Sequence, residues 1–235
     1  MRFDELSIQP ISYHDTLNPV LWENNKLKTE VRYKLMLIAK HFAHFLKVPN
    51  LNLRDITISG SNAAYGYSDS SDLDLHLVAD MPADNPELEE LYNAKKNQYN
   101  FTYDITIHGI DVELYVQDSK QKHHSAGIYS VLNDAWISKP SYDEPKVTPE
   151  EVKAKARNYA GKLNQALRSN NLEQAKATIE DIRRLRQAGL EKGGEFSVEN
   201  LAFKLLRARG HIEKLYKHID RLQSAELSIG EQNES

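Results

Sequence analysis

The chain has 235 residues, of which 40% are hydrophobic and 27% charged, with 10 Gly, 8 Pro and no Cys. That length and composition describe a folded globular protein with one large domain or two modest ones. The lack of cysteine excludes disulfides, thiolate metal sites and cysteine nucleophiles together. The net charge of -4 hides an asymmetry: residues 1–147 carry 14 Lys+Arg against 21 Asp+Glu, residues 148–224 carry 16 against 10, and residues 225–235 add -3. An acidic half beside a basic half suits a phosphate-bearing ligand. The opening MRFDELSIQPISYHD has no basic stretch followed by an apolar run, and no segment reaches the ~18 apolar residues of a membrane span. A cytoplasmic protein with no membrane partner is expected.

In chain order, Leu27, Val31, Leu35, Ile38, Phe42, Phe45 and Leu46 recur at three- and four-residue spacing and predict an amphipathic helix over 25–47. Residues 55–59 alternate as a strand and run into Gly60-Ser61, a small-residue break. A second strand is expected over 72–78, with Leu73, Leu75 and Leu77 on one face and Asp72, Asp74 and His76 on the other. A helix is expected over 86–97, then a hairpin over 103–116 turning at His108-Gly109. Residues 125–132 read as a short helix, and 138–146 as a linker.

Thr148-Pro149-Glu150-Glu151 is a helix start with Thr as N-cap, Pro at the first position and Glu at the third. Three helices are expected, over 149–168, 172–190 and 198–223, with Ser197 capping the last and Gly210 a point of interruption. The organisation expected is a domain over 1–140, a helical domain over 148–224 and a flexible tail over 225–235.

The chemistry concentrates around residues 60–113. Acidic residues at i and i+2 of a strand point the same way, so Asp72 and Asp74 can bridge a pair of Mg²⁺ (or Mn²⁺) ions, with a third carboxylate from the neighbouring hairpin. Asp111 and Glu113 both lie on one face of that hairpin and either could supply it, Glu113 lying deeper in the strand, four residues past the turn glycine and flanked by Val112 and Leu114. Gly60 lets the backbone approach phosphate oxygens closely, and Ser61, Asn62 and Ser71 supply further polar groups around them. His76 and the pair His123-His124 are weaker candidates for metal or proton transfer. The Gly193-Gly194 pair in Lys192–Phe196 reads as a helix break, and no Gly-x₄-Gly-Lys-Ser/Thr loop is present. Lys204, Arg207 and Arg209, with Arg183, Arg184 and Arg186, are candidate phosphate partners or simply the wet side of helices with an apolar face.

The run Ile58-Ser59-Gly60-Ser61, ten residues, then Asp72-Leu73-Asp74-Leu75 resembles the motif of the DNA polymerase β-like nucleotidyltransferase superfamily. The resemblance covers about residues 26–117. It implies an α+β fold, a mixed sheet flanked by helices and followed by a C-terminal helical domain. It also implies catalytic, metal-binding roles for Asp72, Asp74 and one hairpin carboxylate, with Glu113 in the position where the superfamily usually places it, and triphosphate binding by Gly60 and Ser61. The segments VELYVQD and IYSVLNDAWI are similar in texture to uncharacterised bacteriophage-encoded nucleotidyltransferases, which would place the protein in a host cytoplasm. The expected activity moves a nucleoside monophosphate from a triphosphate such as ATP to an acceptor hydroxyl. Acceptors of three classes fit: a small molecule, an RNA 3′ end or a protein side chain. A silent nucleotide-binding regulator and a helical interaction module are the alternatives.

Overall fold

The computed structural model describes residues 14–48, 51–69, 71–81, 86–121, 125–141 and 147–229. They divide into two compact units, 14–141 and 147–229. The expectations for His123-His124, for most of the linker and for residues 230–235 lie outside the described residues.

The first unit opens with a two-stranded antiparallel hairpin, β1 (Trp22–Glu23) and β2 (Lys26–Leu27). Asn24 and Asn25 turn it with φ of 50° and 60°, left-handed values that Asn tolerates better than most residues. That turn delays the first helix: α1 is Thr29–Leu46 rather than starting at Asn25, and Leu27 belongs to β2. Val31, Leu35, Ala39, Phe42 and Leu46 form its buried stripe.

Strands β3 (Asn52–Ser59), β4 (Leu73–Asp80), β5 (Thr106–Ile107), β6 (Ile110–Asp118), β7 (Ile128–Ser130) and β8 (Ala135–Ser138) form a six-stranded sheet in the order β5-β6-β4-β3-β7-β8. The β4–β6 pair is parallel and the others antiparallel, so the sheet is mixed. A parallel neighbour needs a crossover, and α2 (Pro86–Thr102) lies within it. Leu73, Leu75, Leu77, Ile58 and Leu114 are buried with Leu35 and Phe42 of α1 and Tyr92 and Tyr99 of α2 in one core. Each such side chain stabilises by about 1.5–3 kcal/mol on burial.

Helix α2 runs five residues beyond the expected end at Asn97, because its last turns are anchored by tertiary contacts. Tyr99 is fully buried, its hydroxyl lies 2.7 Å from His41 Nδ1, and its ring packs on Phe42 and Phe45. The expected helix over 125–132 is absent, replaced by β7, a turn and β8. Tyr129 and Ser130 pair with Ile58 and Thr57 of β3, and Arg32 donates to the carbonyls of Val131 and Leu132 at 2.8 and 2.9 Å, holding the turn. Trp136 stacks on Trp22 at 4.8 Å. Long-range pairing overrides a weak local helical pattern, and Ser138 ends a strand rather than opening the linker.

The second unit is helical: α3 (Pro149–Arg168), α4 (Leu172–Gly193), α5 (Val198–Ala208) and α6 (His211–Leu227). Thr148 and Glu151 form the expected capping box, and Asn171 and Ser197 cap α4 and α5. A single 3₁₀ turn over Gly194–Phe196 breaks the chain after α4. Gly210, at φ 70°, separates α5 from α6, so there are four helices where three were expected. Helix α6 also continues to Leu227, three residues into the segment expected to be flexible tail. Val152, Tyr159, Leu163, Ile179, Ile182, Leu206 and Leu215 are buried in this unit.

The whole is an α+β protein with a mixed open sheet and six α-helices among the described residues. No described helix is long and apolar enough to cross a membrane.

A candidate carboxylate site across the central strands

The apolar face of the sheet is spent on the core, so the alternate residues of β3, β4 and β6 share the opposite face. Register then sets their neighbours. Ser59 of β3 pairs with Asp74 of β4, and Asp74 pairs with Glu113 of β6. One row further along, Thr57 pairs with His76, and His76 with Tyr115. Asp74 and Glu113 are thus adjacent carboxylates on one sheet face, both half-buried. Asp111 pairs instead with Thr106 of β5 and is exposed, so of the two hairpin carboxylates Glu113 is the one registered against Asp74.

Gly60 makes the turn out of β3 beside this pair. It sits at φ 76° and ψ -163°, a region essentially closed to residues with a side chain. A Cβ there would lie 2.2 Å from Asp74 Oδ2. The backbone therefore requires glycine, and any side chain here would also displace the Asp74 carboxylate. Its N–H donates to Ser125 Oγ at 3.0 Å, and Ser125 Oγ donates to the Gly127 carbonyl at 3.0 Å. Gly127 itself lies so close to the turn that a Cβ would meet the Ala63 carbonyl at 2.0 Å.

Beyond Gly60, residues Ser61–Ala63 form a single 3₁₀ turn. Ser61 Oγ donates to Ser71 Oγ at 2.9 Å, which also accepts from the Ser68 N–H at 2.9 Å. Asn62 has a different task from the phosphate contact expected of it. Its side chain is fully buried, and Nδ2 donates to the carbonyls of Ser71 and Asp72 at 3.0 and 2.9 Å. Its Oδ1 accepts from Asn18 Nδ2 at 2.9 Å, and its carbonyl from Trp22 Nε1 at 2.8 Å. Those bonds clamp the segment that leads into β4, where Asp72 lies half-buried just before the strand.

Glu113 is held from its own side of the sheet. Tyr115, two residues along the same strand, donates its hydroxyl to Glu113 Oε2. Strand β5 is too short to cover β6 here, and Asn100 of α2 takes that edge instead. Its Nδ2 donates to the Leu114 carbonyl at 3.2 Å, and its Oδ1 accepts from the Leu114 N–H at 3.1 Å. His76, weighed from sequence as a metal or proton-transfer residue, is buried, with Nε2 3.0 Å from Ser59 Oγ and its ring stacked on Tyr115. At the far end of β4, Asp80 is engaged by Arg54 and Ser119, which hold its carboxyl down at about 2.

Among the described residues no group of three or more His, Cys, Asp or Glu side chains is gathered to hold a metal ion. The three-carboxylate cage expected of Asp72, Asp74 and Glu113 is not gathered as such; Asp72 precedes β4, and Glu113 accepts from Tyr115. The donor set still fits a hard divalent cation. Mg²⁺ binds through one or two carboxylates and completes its shell with water and phosphate oxygens, rather than in an all-protein cage.

The basic candidates belong to the helical unit. Lys204 and Arg207 lie on α5, half-buried and exposed respectively. Arg183 and Arg184 pair with Glu180 and Asp181 one turn back on α4, while Arg186 donates to Asn200 Oδ1 at 3.0 Å and lies over Phe203. These three arginines are engaged within their own unit.

Sequence reasoning missed Ser59, Asn100, Tyr115, Ser125 and Gly127. The period-two rule that grouped Asp74 with His76 would also have grouped Glu113 with Tyr115, whereas Asn100 and Ser125 come from distant segments and carry no local signal. Comparison with protein-family models, with curated proteins and with solved structures finds no match to this chain.

Proposed function

We propose that this chain is a metal-dependent nucleotidyltransferase with a polymerase β-like sheet domain. The observation that carries the reading is the row Ser59–Asp74–Glu113 across β3, β4 and β6, with Gly60 turning against Asp74. A glycine turn feeding two adjacent, half-buried carboxylates on the polar face of a mixed sheet is an arrangement suited to a triphosphate and its cation. Asp74 and Glu113, with Asp72 beside them, would hold Mg²⁺ or Mn²⁺. Bound there, the ion would neutralise triphosphate charge and favour ionisation of the attacking hydroxyl.

In the reaction, the acceptor oxygen forms a bond to the α-phosphorus of ATP or another nucleoside triphosphate. The bond to the bridging oxygen breaks, pyrophosphate leaves, and the hydroxyl proton passes to a carboxylate or to solvent. The chain's own contribution is to position: Asn62 fixes the approach to β4, Gly60 leaves room for the Asp74 carboxylate, and the parallel register sets Glu113 beside it.

The test is incubation of the full chain with each of four α-labelled triphosphates and Mg²⁺ or Mn²⁺, with total RNA, protein and small-molecule fractions as acceptors. Label is expected in one fraction, with Asp74→Asn lowering the rate by roughly 10²-fold or more. Triphosphate binding with no transfer to any fraction, unchanged in Asp74→Asn, overturns the reading in favour of a nucleotide-binding regulator. No metal-dependent nucleotide binding at all favours a helical interaction module.

A further inference from the structure

Glu113 Oε2 is occupied by a hydroxyl whose own ring is fixed from two sides. The Tyr115 ring stacks on His76 with centroids 4.9 Å apart and planes 18° from parallel, and Lys96 Nζ lies 4.8 Å from the ring centroid. His76 is in turn tied to Ser59 Oγ at 3.0 Å, and Ser59 is the residue registered against Asp74. The path Ser59, His76, Tyr115, Glu113 therefore links the strand end that carries Gly60 to the carboxylate two strands away. Glu113 and Tyr115 are both only half-buried, so water could satisfy either group without the bond between them. What the bond adds is direction, because it fixes one oxygen of the Glu113 carboxylate.

We infer that Tyr115 is a positioning residue that presents Glu113 to the divalent cation. The inference rests on the nucleotidyltransferase reading and adds a residue to it. Partners that orient a metal ligand typically change metal affinity or activity by about 10- to 100-fold when removed. Tyr115→Phe removes the hydroxyl while keeping the ring on His76 and beneath Lys96, so the packing that a purely structural tyrosine would supply is retained.

The experiment is a Mn²⁺ titration of the full chain, followed by electron paramagnetic resonance, with the non-reactive analogue α,β-methylene-ATP present. Transfer kinetics and thermal melting are measured in parallel. In Tyr115→Phe, Mn²⁺ affinity and kcat are each expected to fall about 10-fold, with KM for the triphosphate within about twofold and the melting temperature unchanged. In the Glu113→Gln background, adding Tyr115→Phe should have little further effect on Mn²⁺ binding, because the hydroxyl acts through the carboxylate. If the unsubstituted chain and Tyr115→Phe bind Mn²⁺ alike, the positioning role is overturned while the enzymatic reading stands. Equal loss from Tyr115→Phe in both backgrounds overturns it as well. If the unsubstituted chain binds no Mn²⁺ with the nucleotide, both readings fall together.

Discussion

In the helical unit the side-chain bonds that start α3, α4 and α5 close within three residues of chain: Thr148 with Glu151, Asn171 with Gln174, Ser197 with Asn200. In the sheet unit the Tyr115–Glu113 bond is local, but several of the bonds that hold the site's surroundings join residues far apart in sequence. Asn62 reaches Asn18 across 44 positions, Gly60 reaches Ser125 across 65, and Arg32 reaches Leu132 across 100. Local signals are enough to place a capped, periodic helix. A site built from strand ends depends on register and on distant polar partners, which few residues near the site in sequence reveal.

Substitutions at five positions test that contrast, beginning with the largest effect. Asn62→Ala removes the amide that bridges Asn18, Ser71 and Asp72, leaving buried partners unsatisfied, and should cost on the order of 3 kcal/mol in urea unfolding of the sheet unit. A cost under about 1 kcal/mol would mean that the clamp is replaced by water and that the non-local network contributes little.

Two glycines with positive φ set the units against each other. Gly60→Ala meets both a forbidden backbone region and the Asp74 carboxylate, and should cost about 1–3 kcal/mol while displacing that carboxylate. Gly210→Ala, at φ 70° and ψ 12° with its nearest neighbouring atom 4.0 Å away, meets only the left-handed penalty of about 1 kcal/mol. Equal costs in denaturant unfolding would show that crowding at Asp74 is relieved by rotation of its side chain.

Thr148→Ala should cost about 1 kcal/mol, by loss of the cap on α3, and Thr148→Ser should restore most of it. A thermal melt of each variant checks this. A larger loss would show that the capping box also anchors something beyond its own helix.

The smallest effect concerns Arg54 and Asp80. The carboxyl of Asp80 is held at about 2, first by the hydrogen bond from Arg54 and then by that from Ser119. A carboxylate depressed in the folded state contributes stability above its ordinary value of 3.8, and that contribution is lost as pH falls toward about 2. Because the pair is exposed to solvent, Arg54→Ala should leave stability at neutral pH nearly unchanged while raising the Asp80 titration toward its ordinary value, as read by carboxyl NMR. An unmoved titration would assign the depression to Ser119.

Sequence alone determined the starts of α3, α4 and α5 and the apolar stripes of the helical unit, because these follow from local turn and capping chemistry and a 3.6-residue period contained in one segment. It also determined the alternation of Leu73, Leu75 and Leu77 against Asp74 and His76, since a two-residue period needs no knowledge of the partner strand. Tertiary structure decided the rest. It made strands of residues 128–130 and 135–138, because Tyr129 and Ser130 gain pairing with β3 and Trp136 gains a stack on Trp22. It gave Asn62 to the clamp beneath the site, and its parallel register put Glu113, not Asp111, beside Asp74. These outcomes depend on which distant backbone groups find each other, and the free energy that decides them comes from pairs of segments rather than from either segment alone.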